Sequence, residues 1–234
     1  MVIRLNVPYN EKDMAKANGA KWNPIAKTWY TDDIKLLSGL SKWIYEYNVI
    51  CDNLYIFEME RICWKCKKET DVVCLGSDKS YSIECGYHTS LNILLFSYVN
   101  TMPDPLATHM KKKFRYFPSY SKIINTSYYV NHCRYCDSIQ GDNYLHEVPV
   151  ESFYKQLCYK NCKPTTYSKI NNQYGVPLKA ELPNYDDIAG SLEMLMTHME
   201  TGVENRASLE ITQKLINNLF KISISHQDIE INGL

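Results

Sequence analysis

Four cysteines in two short motifs are the residues whose spacing points most directly to chemistry. The motifs are Cys63-Trp64-Lys65-Cys66 and Cys133-Arg134-Tyr135-Cys136. Two cysteines separated by two residues can bind one ion, and two such pairs complete a tetrahedral four-thiolate site, a usual ligand set of structural zinc. The sequence therefore predicts a closed structural Zn²⁺ site formed by Cys63, Cys66, Cys133 and Cys136.

Other cysteines and one histidine leave alternatives open for this site. His132 is adjacent to the second motif and could replace one cysteine. Cys158 and Cys162, separated by three residues, could displace one motif, form a second incomplete site, or be one buried and one exposed thiol of a helix. Redox chemistry is the other reading of such motifs. Three further cysteines are expected to be small core side chains: Cys51, Cys74 and Cys85.

A basic stretch between the two motifs is a candidate nucleic-acid contact. From Pro105 to Cys136 there are six Lys or Arg and no acidic residue, although the formal net charge of the chain is +0. Cations interleaved with rings can meet phosphates and stack on bases. A solvated loop over buried Phe114 and Phe117 explains the same residues, and both readings stay open. The candidates are Lys111, Lys112, Lys113, Arg115 and Tyr116.

Composition limits the class of protein. The 234 residues are enough for one large or two small domains, and 45% hydrophobic with 22% charged residues is not typical of disorder. No apolar run of about 18 residues is present, so no membrane span is expected. The N-terminus turns polar too early for a secretory signal. We expect a cytoplasmic protein whose nine cysteines are not paired in disulfides.

The case for catalysis is weak. Asp142, His146 and Glu147 follow the second motif and could form an acid–base group or a second metal site. A turn at Gln140-Gly141-Asp142 is the simpler interpretation. The sequence contains no glycine-rich phosphate loop, nucleophile elbow or H-E-x-x-H motif. A binding protein is therefore favoured over an enzyme.

Hydrophobic periodicity predicts an α+β fold that places these residues in four parts. Residues 1–50 form a small α/β module, 51–162 a central zinc-ribbon-like domain, 163–185 a linker or extended arm, and 186–234 a helical acidic region. The module's elements are a strand at Ile3–Val7, a helix at Glu11–Asn18 ended by Gly19, a strand at Lys27–Tyr30, and a helix from Ile34 to Ile44.

The predicted central elements bracket the cysteine motifs. Strands at Asn53–Ile62 and Val72–Leu75 flank the first motif, and a strand at Ser127–Val130 leads into the second. The remaining predicted elements are helices, at His88–Tyr98, Pro103–Lys113, Glu151–Cys162, Asp186–Glu200 and Ala207–Phe220.

The N-terminal thirty residues resemble a small bacterial domain of unknown function. They contain Val7-Pro8-Tyr9, Glu11-Lys12, Ala15-Lys16, Gly19-Ala20, Trp22, Lys27 and Trp29-Tyr30. These match a module of the form V-P-Y-x-E-K-x-x-A-K-x-x-G-A-x-W followed by K-x-W-Y, although Asn23 stands where Asp is more usual. The central region also resembles proteins in which paired C-x-x-C knuckles follow this module.

The resemblance implies an architecture and the kinds of protein in which the module occurs, but it does not imply a catalysed reaction. The module occurs in plasmid, phage and conjugative-element proteins, sometimes attached to primase- or topoisomerase-like enzymes, which points to nucleic acid by association. Within it, Trp22, Lys27 and Trp29 could contact bases and phosphates, or the rings could belong to a small core.

Two functions follow from the sequence. The first is a non-enzymatic, zinc-containing, nucleic-acid-binding accessory protein of a bacterium or mobile element. The alternative is a protein-binding adaptor or inhibitor in phage defence or counter-defence. It rests on the acidic C-terminal region, where nine acidic and three basic residues follow from Ala180 onward.

Overall fold

Strands dominate the structure of this protein. The computed structural model describes residues 1–44, 46–82, 86–143, 145, 166–182, 226–231 and 234. This part contains twelve strands in three sheets and three short α-helices. The α+β expectation is therefore wrong, because the described chain is mainly β.

The C-terminal residues that are described also contradict a helical end of the chain. His226–Glu230 is a strand that pairs in parallel with another strand, Thr166–Asn171. The predicted helices at Asp186–Glu200, Ala207–Phe220 and Glu151–Cys162 lie outside the described residues.

The N-terminal module is a three-stranded antiparallel sheet with short helices. Its elements are β1 (Ile3–Leu5), α1 (Lys12–Ala17), β2 (Lys21–Asn23), β3 (Thr28–Thr31) and α2 (Leu37–Leu40). The strand order is β1-β3-β2. The predicted first helix and first strand are confirmed with slightly shorter bounds, and the strand predicted at Lys27–Tyr30 is confirmed one residue further along. Gly19 follows α1 at φ +90°, the left-handed conformation that glycine adopts without steric cost.

The single long helix predicted from Ile34 to Ile44 is wrong. The segment is divided into a 3₁₀ turn at Ile34–Leu36, the four-residue α2, and a second 3₁₀ turn at Ser41–Trp43. Gly39 and two serines are poor helix formers, so packing of the apolar residues into the core decides the local conformation. Leu37, Leu40 and Trp43 are buried there.

The central sheet has six strands, four of which form a closed ring. Its strand order is β11-β6-β5-β4-β10-β12, and β11 also pairs with the start of β4. The hydrogen-bonded circuit therefore runs from β4 through β5, β6 and β11 back to β4. The strands are β4 (Val49–Ile62), β5 (Glu69–Ser82), β6 (Gly86–Thr101), β10 (Thr166–Asn171), β11 (Val176–Glu181) and β12 (His226–Glu230).

Strand β6 replaces the helix predicted at His88–Tyr98. Both faces are buried in its second half, where Leu94 and Phe96 join the main core and Leu95 joins a separate apolar cluster on the other side of the sheet. A strand covered on both sides loses the alternation that identifies a strand in sequence, and its apolar run then resembles a buried helix.

Residues predicted as a linker or extended arm are largely part of the central sheet. Strand β10 pairs with β4 at residues 54–58, and β11 pairs with β4 at residues 49–51, so both lie along the same edge. The loop between them contacts the N-terminal module, where the Gly175 amide donates to the Val2 carbonyl at 2.7 Å.

A helix and a third sheet complete the described structure. Helix α3 (Asp104–Phe114) confirms the helix predicted at Pro103–Lys113, and it buries Leu106 and Met110 in the main core. The sheet has the order β7-β8-β9, with β7 at Tyr116–Ser121, β8 at Thr126–His132 and β9 at Ile139–Gln140. Among the described residues, no helix is long and apolar enough to cross a membrane.

The third sheet is attached to the central sheet by a buried asparagine. The Asn131 side chain accepts from the Val73 amide at 2.7 Å and donates to the Val73 carbonyl at 2.9 Å. Asn131 is only 1% exposed, and a carboxamide satisfies both backbone groups of one residue. This pair of bonds fixes β8 against β5.

Replacing Asn131 with Asp should therefore destabilise the protein. The carboxylate can still accept from the Val73 amide but cannot donate to the Val73 carbonyl, so a charge is buried next to an unsatisfied carbonyl oxygen. We expect stability to fall by at least about 2 kcal/mol in urea denaturation followed by circular dichroism. The control is Asn10→Asp, the same change at an exposed position. Equal stability of the two variants would contradict the role of Asn131.

Candidate metal centre

Each cysteine motif is the turn of a β-hairpin. The first knuckle, residues 63–68, connects β4 to β5, where Ile62 pairs with Glu69. The second knuckle, residues 133–138, connects β8 to β9, where His132 pairs with Ile139. The two loops have the same length, so the cysteines occupy equivalent places at the tips of two hairpins.

The two knuckles also share their backbone hydrogen bonds. In the first, the Lys67 amide donates to the Cys63 carbonyl at 3.0 Å, and the Cys63 amide donates to the Lys68 carbonyl at 2.9 Å. In the second, the Asp137 and Cys133 amides make the equivalent bonds, both at 3.0 Å. The residue after each second cysteine has φ +59°, which lets the turn close.

The four predicted ligands come together as the spacing requires. Their sulfur atoms all lie within 4.8 Å of one another. The Cys63–Cys136 and Cys66–Cys133 sulfur pairs are separated by 3.7 and 3.6 Å. A tetrahedral zinc ion with bonds of about 2.3 Å places its sulfurs about 3.8 Å apart, so the residues fit that ion.

The thiols are electrostatically unequal. Burial raises the pKa of Cys63, but hydrogen bonds from Ser138 and from the Cys66 amide outweigh it and lower the pKa to about 5. The Lys68 amide lowers the pKa of Cys66, yet burial and the neighbouring thiols outweigh it and raise the pKa to about 11. Crowded thiols therefore resist ionising together, which a bound cation would reverse.

Polar contacts connect the two knuckles around the sulfurs. The Arg134 amide donates to the Thr70 hydroxyl at 3.1 Å, and the Arg134 guanidinium forms an ion pair with Asp71. The Trp64 indole N–H donates to the Ile139 carbonyl at 2.7 Å. The first hairpin is thus joined to the second outside the metal site as well as through it.

Sequence reasoning missed two residues that support the site. The Ser138 hydroxyl lies 3.3 Å from the Cys63 sulfur and 3.0 Å from the Cys136 sulfur. The Gln140 amide nitrogen lies 3.4 Å from the Cys63 sulfur, so its segment is more than the expected turn. The sequence could have pointed to the position of Ser138. It stands two residues after the last cysteine of the second motif, as Lys68 does after the last cysteine of the first.

His132 is not a ligand in this arrangement. Its ring stacks on Phe117 with centroids 3.7 Å apart and an interplanar angle of 6°. Its Nε2 lies 2.9 Å from the Ser119 hydroxyl, and its Nδ1 lies 3.3 Å from the Arg115 carbonyl. Both nitrogens are therefore engaged away from the four sulfurs.

The predicted basic contact lies at the end of α3. Lys111, Lys112 and Lys113 form its last turn, and Arg115 ends it in the left-handed conformation at φ +53°. The four side chains are exposed. Cations at this end also complement the negative end of the helix dipole.

Carboxylates from other parts of the chain neutralise some of these cations. Lys113 lies 3.7 Å from Glu58, and Arg115 lies 2.5 Å from Asp137. For Lys111 and Lys112, the described residues provide no ion-pair partner, and Lys111 lies over the Phe117 ring at 5.7 Å. The charge available to a ligand is smaller than the sequence stretch suggests.

Tyr116 does not belong to an exposed surface. It is 3% exposed, belongs to the main core and stacks on Tyr129. Burial raises the pKa of Tyr116 well above its usual range. It is therefore removed from the candidate contacts.

The aromatic residues of the N-terminal module have mixed environments. Trp22 and Trp29 are cross-strand partners with centroids 5.3 Å apart. Trp29 packs against the module core, whereas Trp22 is 46% exposed. Lys27 is exposed in the turn between them. One indole thus serves the core, and the other remains accessible.

The residues considered for catalysis do not assemble into a site within the described structure. Asp142 is 2% exposed, and its carboxylate accepts from the Tyr98 amide at 2.7 Å, which ties β6 to the end of β9. His146 and Glu147 lie outside the described residues, as do Cys158 and Cys162.

A family model and a curated protein each match a part of this chain. Residues 3–44 match the family described as "Domain of unknown function (DUF5710)". A segment of 42 residues is 40% identical to the DNA primase TraC of Escherichia coli, which is 18% of this chain and 4% of the primase. No solved structure matches the chain significantly. The family match ends before the first knuckle, so it does not include the metal centre.

Removing one ligand should release the metal and destabilise both hairpins. For Cys133→Ser we expect zinc content, measured by elemental analysis, to fall from about one per chain to near zero, and Tm to fall by about 10 °C or more. Exhaustive chelation of the unmodified protein should lower Tm similarly.

A second buried cysteine provides the control for this prediction. Cys51 also lies on β4, within the main core. The variant Cys51→Ala should be somewhat less stable, because its core is packed less tightly, but should keep its zinc. A protein purified without zinc, or with a Tm that chelation leaves unchanged, would contradict the metal site.

Proposed function

We propose that this chain is a non-enzymatic nucleic-acid-binding protein that contains a structural Zn²⁺. Cys63, Cys66, Cys133 and Cys136 would hold the ion, whose role is to fix the two hairpins rather than to activate a substrate. The basic end of α3, defined as Lys111, Lys112, Lys113 and Arg115, would meet phosphates through charge.

The link between this basic end and the second knuckle carries the proposal. The His132 amide, next to the ligand Cys133, donates to the Arg115 carbonyl at 3.2 Å. The Arg115 guanidinium pairs with Asp137 of the same knuckle. A metal that orders the second knuckle therefore also orders the end of the helix and the lysines on it.

Similarity supports the same class of function. A segment of 42 residues of this chain is 40% identical to a protein named as a DNA primase. On this chain, the exposed Trp22 and Lys27 would offer a ring and a cation, and Trp29 would support Trp22 from the core side. The setting proposed from this likeness is an accessory role in a bacterium or mobile element.

Neutralising Lys111 and Lys112, which have no ion-pair partner among the described residues, should weaken oligonucleotide binding and reduce its dependence on salt. For the double variant Lys111→Gln/Lys112→Gln, we expect lower affinity for all oligonucleotide sequences alike. The slope of log affinity against log salt should become less steep by about 1.4 for single strands, because each phosphate that a lysine neutralises adds about 0.7 to the slope. Fluorescence anisotropy with labelled oligonucleotides over a salt series measures both.

The control is Lys122→Gln, an exposed lysine in the turn between β7 and β8, at the far end of that hairpin from α3. Its slope should match that of the unmodified protein. An unchanged slope in the double variant would exclude the basic end as the contact. Absence of binding to every oligonucleotide would refute the function and favour the protein-binding alternative.

A further inference from the structure

Each knuckle exposes an aromatic ring. Trp64 is 58% exposed and Tyr135 is 55% exposed. Trp64 is bonded to Cys63 and Tyr135 to Cys136, and the sulfurs of these two ligands are 3.7 Å apart. The two rings therefore flank one metal centre.

The Trp64 ring is held in a fixed orientation. Its indole N–H, the one polar group of the side chain, donates to the Ile139 carbonyl of the other hairpin at 2.7 Å. The part that remains exposed is therefore apolar. A ring fixed in this way loses little conformational freedom when a ligand stacks on it.

The first knuckle carries three lysines next to Trp64 in the chain. Lys65, Lys67 and Lys68 are exposed, and no carboxylate of the described residues forms an ion pair with them. The Lys68 ammonium lies 5.0 Å from the centroid of the Tyr135 ring. Arg134 is occupied by Asp71, so the three lysines are the charges available beside the rings.

We propose that the two knuckles form a stacking platform for unpaired bases of a single-stranded nucleic acid, with Trp64 and Tyr135 as the rings and Lys65, Lys67 and Lys68 as phosphate contacts. This inference rests on the proposed function and specifies its substrate class. A base in a duplex has both faces covered by its neighbours, whereas an unpaired base offers a face to a ring.

The charge balance distinguishes this platform from the basic end of α3. A four-thiolate zinc centre carries a net charge of −2, which offsets much of the charge on the three lysines. Binding at the knuckles should therefore depend more on stacking than on salt, because charge neutralisation is limited there. An apolar protein partner would fit the rings but not the exposed lysines of the same knuckle, which keep a net positive charge after this offset.

The test compares Trp64→Ala and Tyr135→Ala with the unmodified protein. The probes are labelled oligo(dT) and oligo(U) of about twelve nucleotides, to separate DNA from RNA, and a DNA duplex of equal length. Each variant should bind the single strands about five-fold or more weakly and the duplex almost unchanged. Stacking on Trp64 should also quench its fluorescence, and Trp64→Phe should lose this part of the quenching while keeping most of the affinity.

Tyr120→Ala is the matched control, since Tyr120 is 53% exposed and lies at the other end of the β7–β8 hairpin. Zinc content and Tm of every variant show whether the knuckles remain intact, and Tyr135→Ala serves if Trp64→Ala does not fold. Equal weakening for duplex and single strand, or unchanged single-strand binding in folded variants, would overturn the platform while leaving the proposed function in place. Absence of all nucleic-acid binding would refute both.

Discussion

The convergence of four thiols within 4.8 Å is the constraint on which the rest of this structure depends. The thiols oppose one another's ionisation: despite burial, hydrogen bonds lower the pKa of Cys63 to about 5, whereas, despite the Lys68 amide, burial and the neighbouring thiols raise the pKa of Cys66 to about 11. A bound zinc ion would reverse this balance and join the four sulfurs in one strong crosslink. That crosslink would join the tips of two hairpins that are far apart along the chain, and would fix their position relative to each other.

Hydrogen bonds between the same two hairpins would act together with this crosslink to order the structure around it. Asn131 holds β8 against Val73 of β5, and the Thr70 hydroxyl receives the Arg134 amide. These contacts connect the two hairpins outside the cysteines. They fix the orientation of one knuckle relative to the other as well as the distance between them. From the second knuckle, the bond between His132 and Arg115 extends this order to the end of α3. A charged surface and a metal centre thus share one scaffold.

Local patterns in the sequence predicted local structure well and long-range structure poorly. The four cysteines and the first part of the N-terminal module depend on residue spacing within short segments and could be inferred from it, whereas the helix predicted from Ile34 to Ile44 could not. Strand β6 could not, because burial on both faces removes the alternation of polar and apolar residues. The charge pattern overestimated the free positive charge for a related reason. The stretch from Pro105 to Cys136 contains no acidic residue, but the fold brings acidic residues from elsewhere in the chain next to it. The resulting ion pairs are Glu58 with Lys113, Asp71 with Arg134 and Asp137 with Arg115.

The geometry of a C-x-x-C turn explains why Trp64 and Tyr135 are exposed. The two sulfurs of each knuckle must point toward a common ion, so the side chains between them must point away from it, toward solvent. Core packing therefore places no demand for an aromatic residue at these positions, although the Trp64 indole N–H does join the hairpins through the Ile139 carbonyl. More than half of each ring remains exposed as apolar area. Their presence, beside lysines that no described carboxylate pairs with, is accounted for by a ligand that offers flat apolar faces and negative charge together.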